Sequence, residues 1–161
     1  MPTLVTRRFT PAEALSVAAW TYPPPFDLYD VDPAKTELFT ARDAEGLGCY
    51  PAVDGDGTVV AFCVLGPEAR VRGQRPEDGI LDVGLGVHPA QTGRRIGSDL
   101  VEQVVTLARD LARHRRLRAA VATFNERSLA LCDAAGFVAV RDFTGPGDRT
   151  FREFTRALNP R

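Results

Sequence analysis

The sequence predicts an α/β fold, a mixed sheet flanked by helices, in the order β-α-α-β-β-β-α-β-α-β-β. Three observations carry this expectation. Short runs rich in β-branched and apolar residues recur along the chain, as strands require. Helical patterns lie between them, several opening on a cap residue followed by proline. The longest amphipathic stretch follows a strand directly, through a turn that contains glycine. At 161 residues the chain can bury a core of its own, and one domain over residues 1–161 is expected.

Each element has its own signal. "TLVTRRF" (Thr3–Phe9) is a strand candidate. Thr10, Pro11 and Glu13 then form a capping box with proline at the first helical position, opening a helix to about Trp20. Three consecutive prolines in "TYPPPFDLYD" forbid regular helix and enforce an extended loop. Asp32-Pro33 restarts a second helix, to about Ala41. "LGCYPAV" and "TVVAFCVLG" flank Asp54-Gly55-Asp56-Gly57 and read as a hairpin. "PEARVRGQRPEDG" is polar and reads as a surface loop, and "ILDVGLGVH" as the next strand. From Thr92 a long helix places Ile96, Leu100, Val104, Leu107 or Ala108, and Leu111 on one face. "RAAVATF" is a strand, Asn125 to about Ala135 a short helix stopped by Gly136, and "FVAVRDF" and "RTFREFTRAL" are strands joined by "TGPGD".

Composition narrows the function. Apolar residues make up 44% and charged residues 25%, with a net charge of −1, which disfavours nucleic-acid and membrane-surface binders. The basic run Arg113, His114, Arg115, Arg116 and Arg118 reads as a solvated helix end, where cations suit the dipole. "MPTLVTRRFTPAEAL" has no apolar segment of signal-peptide type, and no run is long enough to span a bilayer. Cys49, Cys63 and Cys132 are odd in number and lack metal spacing, and the two histidines lie far apart. No metal is expected, and a reduced cytoplasmic setting is.

The chemistry centres on "VHPAQTGRRIG", Val87–Gly97. A strand runs into a turn and then a helix, whose unpaired N–H groups and positive dipole end face any anion placed there. Gly93 and Gly97 admit close backbone approach, and Arg94 and Arg95 add charge. A pyrophosphate is a natural occupant.

"LDVGLGVHPAQTGRRIGSDLV" followed by "VATFNERSLALCDAAGF" resembles the acetyl-CoA-binding core of the GNAT superfamily of N-acetyltransferases. Val87, Pro89 and Gly97 match its V-x-P-x-x-[R/Q]-x-x-G-x-[G/A] loop. Thr92 stands where arginine or glutamine is usual, and Arg95 where the first glycine is usual. Asn125, Ser128, Leu131, Gly136 and Phe137 match the second motif, with Cys132 in place of its tyrosine. The resemblance implies acetyl-CoA as cosubstrate. Its pyrophosphate would be held by the segment Thr92, Gly93, Arg94, Arg95, Ile96, Gly97 and Ser98, with Arg95 keeping a negative φ and turning its side chain outward. Leu85, Gly86 and Val87 would offer backbone hydrogen bonds to the pantetheine and polarise the thioester carbonyl. Gly84 and Gly86 suit a bulge in that strand. Asn125 would bond the pantetheine arm.

Amide formation needs a neutral amine, so a proton must leave. Asp82 stands where related enzymes often carry a glutamate, and is a candidate base or water-positioner, or else a salt-bridge partner. Cys132 replaces the tyrosine that protonates the departing thiolate. It is either a short-reach acid or a packed core thiol, and Tyr22 or Tyr29 could reach in instead. The proline-rich loop offers Trp20, Tyr22, Phe26 and Tyr29 with Asp27, Asp30 and Asp32, an aromatic and acidic set that suits a positively charged amine. The same aromatics could instead anchor the loop. The resulting expectation is an N-acetyltransferase using direct attack on acetyl-CoA by a primary amine, with a homodimer left open. The alternative is an acyl-CoA-binding module without turnover.

Overall fold

The computed structural model describes residues 2–93, 95–111 and 114–158. Seven strands form one sheet in the order β1-β2-β3-β4-β5-β7-β6. They are β1 (Thr3–Leu4), β2 (Gly48–Val53), β3 (Val59–Leu65), β4 (Ile80–Val87), β5 (Arg116–Ala122), β6 (Val138–Thr144) and β7 (Thr150–Ala157). Every neighbouring pair is antiparallel except β4 with β5. The helices are α1 (Pro11–Ala18), α2 (Glu37–Thr40), α3 (Ile96–Leu111) and α4 (Glu126–Ala134). This is the expected class and element order.

Alternation along the strands sorts two cores onto the two faces. Cys63, Leu65, Leu81, Val83, Leu117, Val121 and Phe154 pack with α3 and α4. On the other face Cys49, Val59, Phe62 and Val64 pack with Ala14, Val17 and Ala18 of α1 and Phe39 of α2. The helical spacing of α3 is legible in its burial, for Ile96, Leu100, Val104, Leu107 and Ala108 are all buried. Truncating a buried leucine such as Leu100 costs about 2–5 kcal/mol.

Local chemistry explains where the elements depart from expectation. β1 stops at Leu4 rather than Phe9. The Val5 N–H donates to the Pro51 carbonyl at 3.0 Å, but proline has no N–H to return the bond, so the ladder ends. α2 is a single turn. The Asp32 carboxylate accepts from the Ala34 N–H at 2.9 Å, and this local turn competes with helix across Pro33. α1 opens as expected: Thr10 Oγ1 accepts from the Glu13 N–H at 3.1 Å and Glu13 Oε1 from the Thr10 N–H at 2.9 Å. α3 begins at Ile96, not Thr92, because Gly93 (φ 86°) and Arg95 (φ 61°) are left-handed and no α-helix propagates through them.

One break in the sheet positions everything that follows. β4 and β5 pair only at Ile80↔Arg116, Leu81↔Leu117 and Asp82↔Arg118. Beyond that point β4 stays with β3 as far as Val87, and β5 stays with β7 as far as Ala122. The two central strands therefore part into a fork.

Candidate active site

Backbone groups of β4 line one arm of the fork. The Asp82 carbonyl accepts from the Gly66 N–H at 2.8 Å, and the His88 N–H donates to the Val60 carbonyl at 2.9 Å. Residues of even number thus turn their backbone groups toward β3, and Val83, Leu85 and Val87 turn theirs into the fork. The register with β3 is unbroken from Ala61↔Val87 to Leu65↔Val83. The bulge expected at Gly84–Gly86 is absent, because the continuous ladder with β3 leaves no extra residue to accommodate. Asp82, Gly84 and Gly86 therefore share the face opposite Val87.

The two glycines of β4 serve different needs. A Cβ on Gly86 would fall inside the Phe62 ring, its cross-strand partner. That ring packs at 5.2 Å from Phe39, 6.0 Å from Trp20 and 6.4 Å from Phe9. Above Gly84 the nearest group is the Ala69 methyl, 4.0 Å away, so space is open there.

At the mouth of the fork, the turn before α3 concentrates positive charge and free donors. Thr92 closes it by donating to the Pro89 carbonyl at 3.1 Å, and His88 Nδ1 accepts from the Ala90 N–H at 3.0 Å. The left-handed Arg95 corrects the expected negative φ. A left-handed backbone at a non-glycine residue such as Arg95 (φ 61°) carries a cost of about 1–3 kcal/mol. Ile96, Gly97 and Ser98 form the first turn of α3, whose N–H groups have no partner inside the helix. Gly97 is small for another reason than ligand approach, since a Cβ there would meet Leu131 of α4 at 2.8 Å. Arg127 of α4 comes close to Gly93, its guanidinium 3.7 Å from where a Cβ would sit. Sequence reasoning passed over Arg127, because only the fold brings α4 to this turn. Arg94 and Arg113 lie outside the described residues.

The proline-rich loop crosses the fork on two tyrosines. The Tyr22 hydroxyl donates to the Val87 carbonyl at 2.8 Å. Asn125 caps α4, accepting from the Ser128 N–H at 3.2 Å, while its Nδ2 donates to the Tyr29 hydroxyl at 3.2 Å. Burial and the nearby Asp30 carboxylate push the Tyr22 hydroxyl up to about 12, so it holds its proton firmly. Trp20 sits 5.0 Å from His88 and Phe26 5.5 Å from Phe124; both rings anchor the loop. Asp30 accepts from the Tyr22 N–H at 2.9 Å and staples the same loop.

Two expected catalytic side chains are engaged elsewhere. Cys132 is buried with Phe137, Leu117 and Val104 in the α3–α4 core, and burial lifts its thiol to about 11. Asp82 is 3% exposed and accepts two hydrogen bonds from Arg118, at 2.6 and 3.1 Å, and one from Arg70 at 3.1 Å. Arg118 also donates to the Arg75 carbonyl at 2.7 Å and to Glu77 at 3.2 Å. Buried Glu153 takes Arg141 and Gln74 at 3.2 and 3.0 Å. This network sits at the crotch of the fork. It removes Arg118 from the solvated helix end expected of it, because its guanidinium has buried carboxylates to meet. Sequence reasoning missed Arg70 and Glu153, as neither strand pairing nor loop path is visible in a row of charged residues.

A cavity of about 490 Å³ lies beside the crotch, walled by Tyr29, Arg70, Arg72, Ala120, Arg149 and Phe151 among others. Trp20, Tyr22, Phe26 and Asp30 of the expected acceptor set do not line it, and Tyr29 does. No group of three or more metal-ligating side chains forms among the described residues.

The fold has counterparts in known proteins. No curated protein matches the chain significantly. Among solved structures, a candidate phosphinothricin N-acetyltransferase superposes with a TM-score of 0.76 at 23% identity, covering 99% of each chain. The candidate acetyltransferase yncA of Salmonella typhimurium, solved with its cofactor acetyl-CoA, gives 0.72 at 18% identity over 99% of this chain and 95% of its own. A GNAT-superfamily phosphinothricin acetyltransferase from Sinorhizobium meliloti, in complex with acetyl-CoA, gives 0.71 at 20% identity over 98% and 89%. The profile of the acetyltransferase (GNAT) family matches residues 13–137, which include the fork, the turn before α3 and Asn125. The chain belongs to the GNAT acetyltransferase family.

Proposed function

We propose that the chain moves an acetyl group from acetyl-CoA to a primary amine by direct attack in a ternary complex. The observation that carries it is the β4–β5 fork, which ends its pairing at Asp82↔Arg118 and opens beside the left-handed turn before α3. The donor set fits the cosubstrate. Leu85 and the Val87 N–H offer strand-like hydrogen bonds to an extended, amide-bearing arm. The amides of Ile96, Gly97 and Ser98, with Arg95 and Arg127, suit a diphosphate.

Acetyl-CoA supplies a thioester carbonyl already activated toward an amine. The chain's own part begins at Leu85, whose N–H faces the fork and donates to the carbonyl oxygen as charge builds there. Asp82 anchors the crotch and is not the base, since both of its oxygens are held by arginines. The amine proton leaves through water in the open space above Gly84. Tyr29 is placed to return a proton to the departing thiolate sulfur, its oxygen accepting from Asn125 so that its own proton points away. The buried cysteines fit a reduced compartment, the cytoplasm. Val138 and Val140, 65% and 55% exposed on the β6 edge, are an apolar edge that a second copy would cover.

Free CoA, measured with a thiol reagent across a panel of amines, tests this reading. Steady release that depends on the amine is expected. Tight acetyl-CoA binding without release for any amine points instead to a binding module without turnover.

A further inference from the structure

The cavity beside the fork carries a charge pattern opposite to the one the loop sequence led us to expect. Three arginines, Arg70, Arg72 and Arg149, line it, and among the described residues no aspartate or glutamate does. It opens on the α1–α2 face, since Ala120 lies two residues beyond Arg118 on the same side of β5. Arg70 gives its Nε to Asp82 at 3.1 Å, but that carboxylate is already held twice by Arg118. Arg149 lies 5.3 Å from the Phe124 ring centre. Among the described residues, neither Arg72 nor Arg149 makes an ion pair. Positive charge is therefore left over at Arg72 and Arg149, in a hollow that borders both Tyr29 and the crotch.

We infer that the acceptor is a small molecule carrying its amine and a carboxylate on one skeleton, as an amino acid does. This rests on the acetyl-transfer reading of the fork and names the substrate class for it. Planar guanidinium forks bind a carboxylate through paired hydrogen bonds. A hollow of this size holds a small molecule. Arg72 and Arg149 repel a polyamine or any acceptor whose charge is only positive. They also disfavour the ammonium form of the bound amine, since a like charge nearby lowers its pKa. The site thus favours the neutral nucleophile without an unpaired carboxylate to act as base. Arg72 and Arg149 hold the acid group, and the amine is directed toward the space above Gly84.

Matched pairs test the inference. L-Methionine, L-glutamine and L-phenylalanine are compared with their amides, and with putrescine, in the CoA-release assay. The acids are expected to exceed their amides by about tenfold or more in kcat/KM, expressed mainly in KM. Arg72→Gln and Arg149→Gln should each shrink that ratio toward one, while acetyl-CoA affinity on the same variants reports an intact fold. A second arm does not depend on turnover: calorimetry of N-acetyl-L-methionine and of its amide on the CoA-loaded enzyme. Stronger binding of the acid, lost in the glutamine variants, supports the pocket even if no amine releases CoA and the catalytic reading falls. Equal binding of acid and amide, putrescine as the best acceptor, or an acid-to-amide ratio untouched by both variants overturns it.

Discussion

Cys132 occupies the position at which the family motif carries tyrosine, and its surroundings decide what it does. A thiol raised to about 11 by burial among Leu117, Val104 and Phe137 is a packing group. Tyr29, held at Asn125 and lining the cavity beside the fork, is the hydroxyl we propose as proton donor. Cys132→Ala should therefore leave kcat within about twofold and lower stability by about 1–2 kcal/mol through a small cavity. Tyr29→Phe should lower kcat by about tenfold or more, within the range typical of a positioned proton donor. Steady-state kinetics and thermal melts on the two variants check both. Asp82 follows the same logic. Removing one partner of a buried pair costs about 3–5 kcal/mol, so Asp82→Asn should melt markedly earlier. Below its melting temperature it should keep the wild-type pH profile of kcat/KM. Loss of the limb that rises with pH would instead show Asp82 to be the base. The sequence left both readings of each residue open, because Asp82, Arg118, Arg70 and Glu153 come together only through strand register and loop path.

The elements themselves were largely legible, and the misses have local causes. Capping signals placed α1 and α4, and helical spacing gave the buried face of α3. The start of α3 was placed four residues too early, since only the backbone reveals the left-handed pair at Gly93 and Arg95. The expected bulge in β4 was inferred from its glycines, yet Gly86 is small because Phe62 lies across it. Gly86→Ala should push Phe62 out of its cluster with Trp20, Phe39 and Phe9. We expect a loss of about 1–3 kcal/mol, as for other overpacked cores, measured by chemical denaturation. The α1 cap carries a pH signature. Hydrogen bonding and attraction from Arg7, with the Thr10 amide, hold the Glu13 carboxyl near 2, below its ordinary value of 4.5. A depressed carboxyl stabilises the fold fully above its unfolded pKa and loses that contribution as pH falls through its folded value. Stability should therefore decline between about pH 5 and pH 2. Glu13→Gln should flatten that part of the curve, as read from melts at each pH.

At the scale of the whole molecule, one topological break creates the site. Among the described strands β4 and β5 are the only parallel neighbours, and their pairing ends after three residues. The fork then leaves backbone groups of Leu85 and Val87 without a strand partner, ahead of the first-turn amides of α3, which have no partner inside the helix. The sequence supported the cosubstrate side of this site, because two motifs at fixed spacing mark both of its walls. The acceptor side was not legible. Arg70 and Arg72 belong to a segment that reads only as polar loop, and Arg149 to a turn between the last two strands. The central claim, that the fork and the α3 turn together hold acetyl-CoA, is tested most directly by amide hydrogen exchange with and without that cosubstrate. Protection should rise at Leu85 and at Ile96, Gly97 and Ser98, while the β6 edge stays unchanged. Saturating acetyl-CoA that leaves Leu85 and the α3 amides exchanging as before would contradict the account.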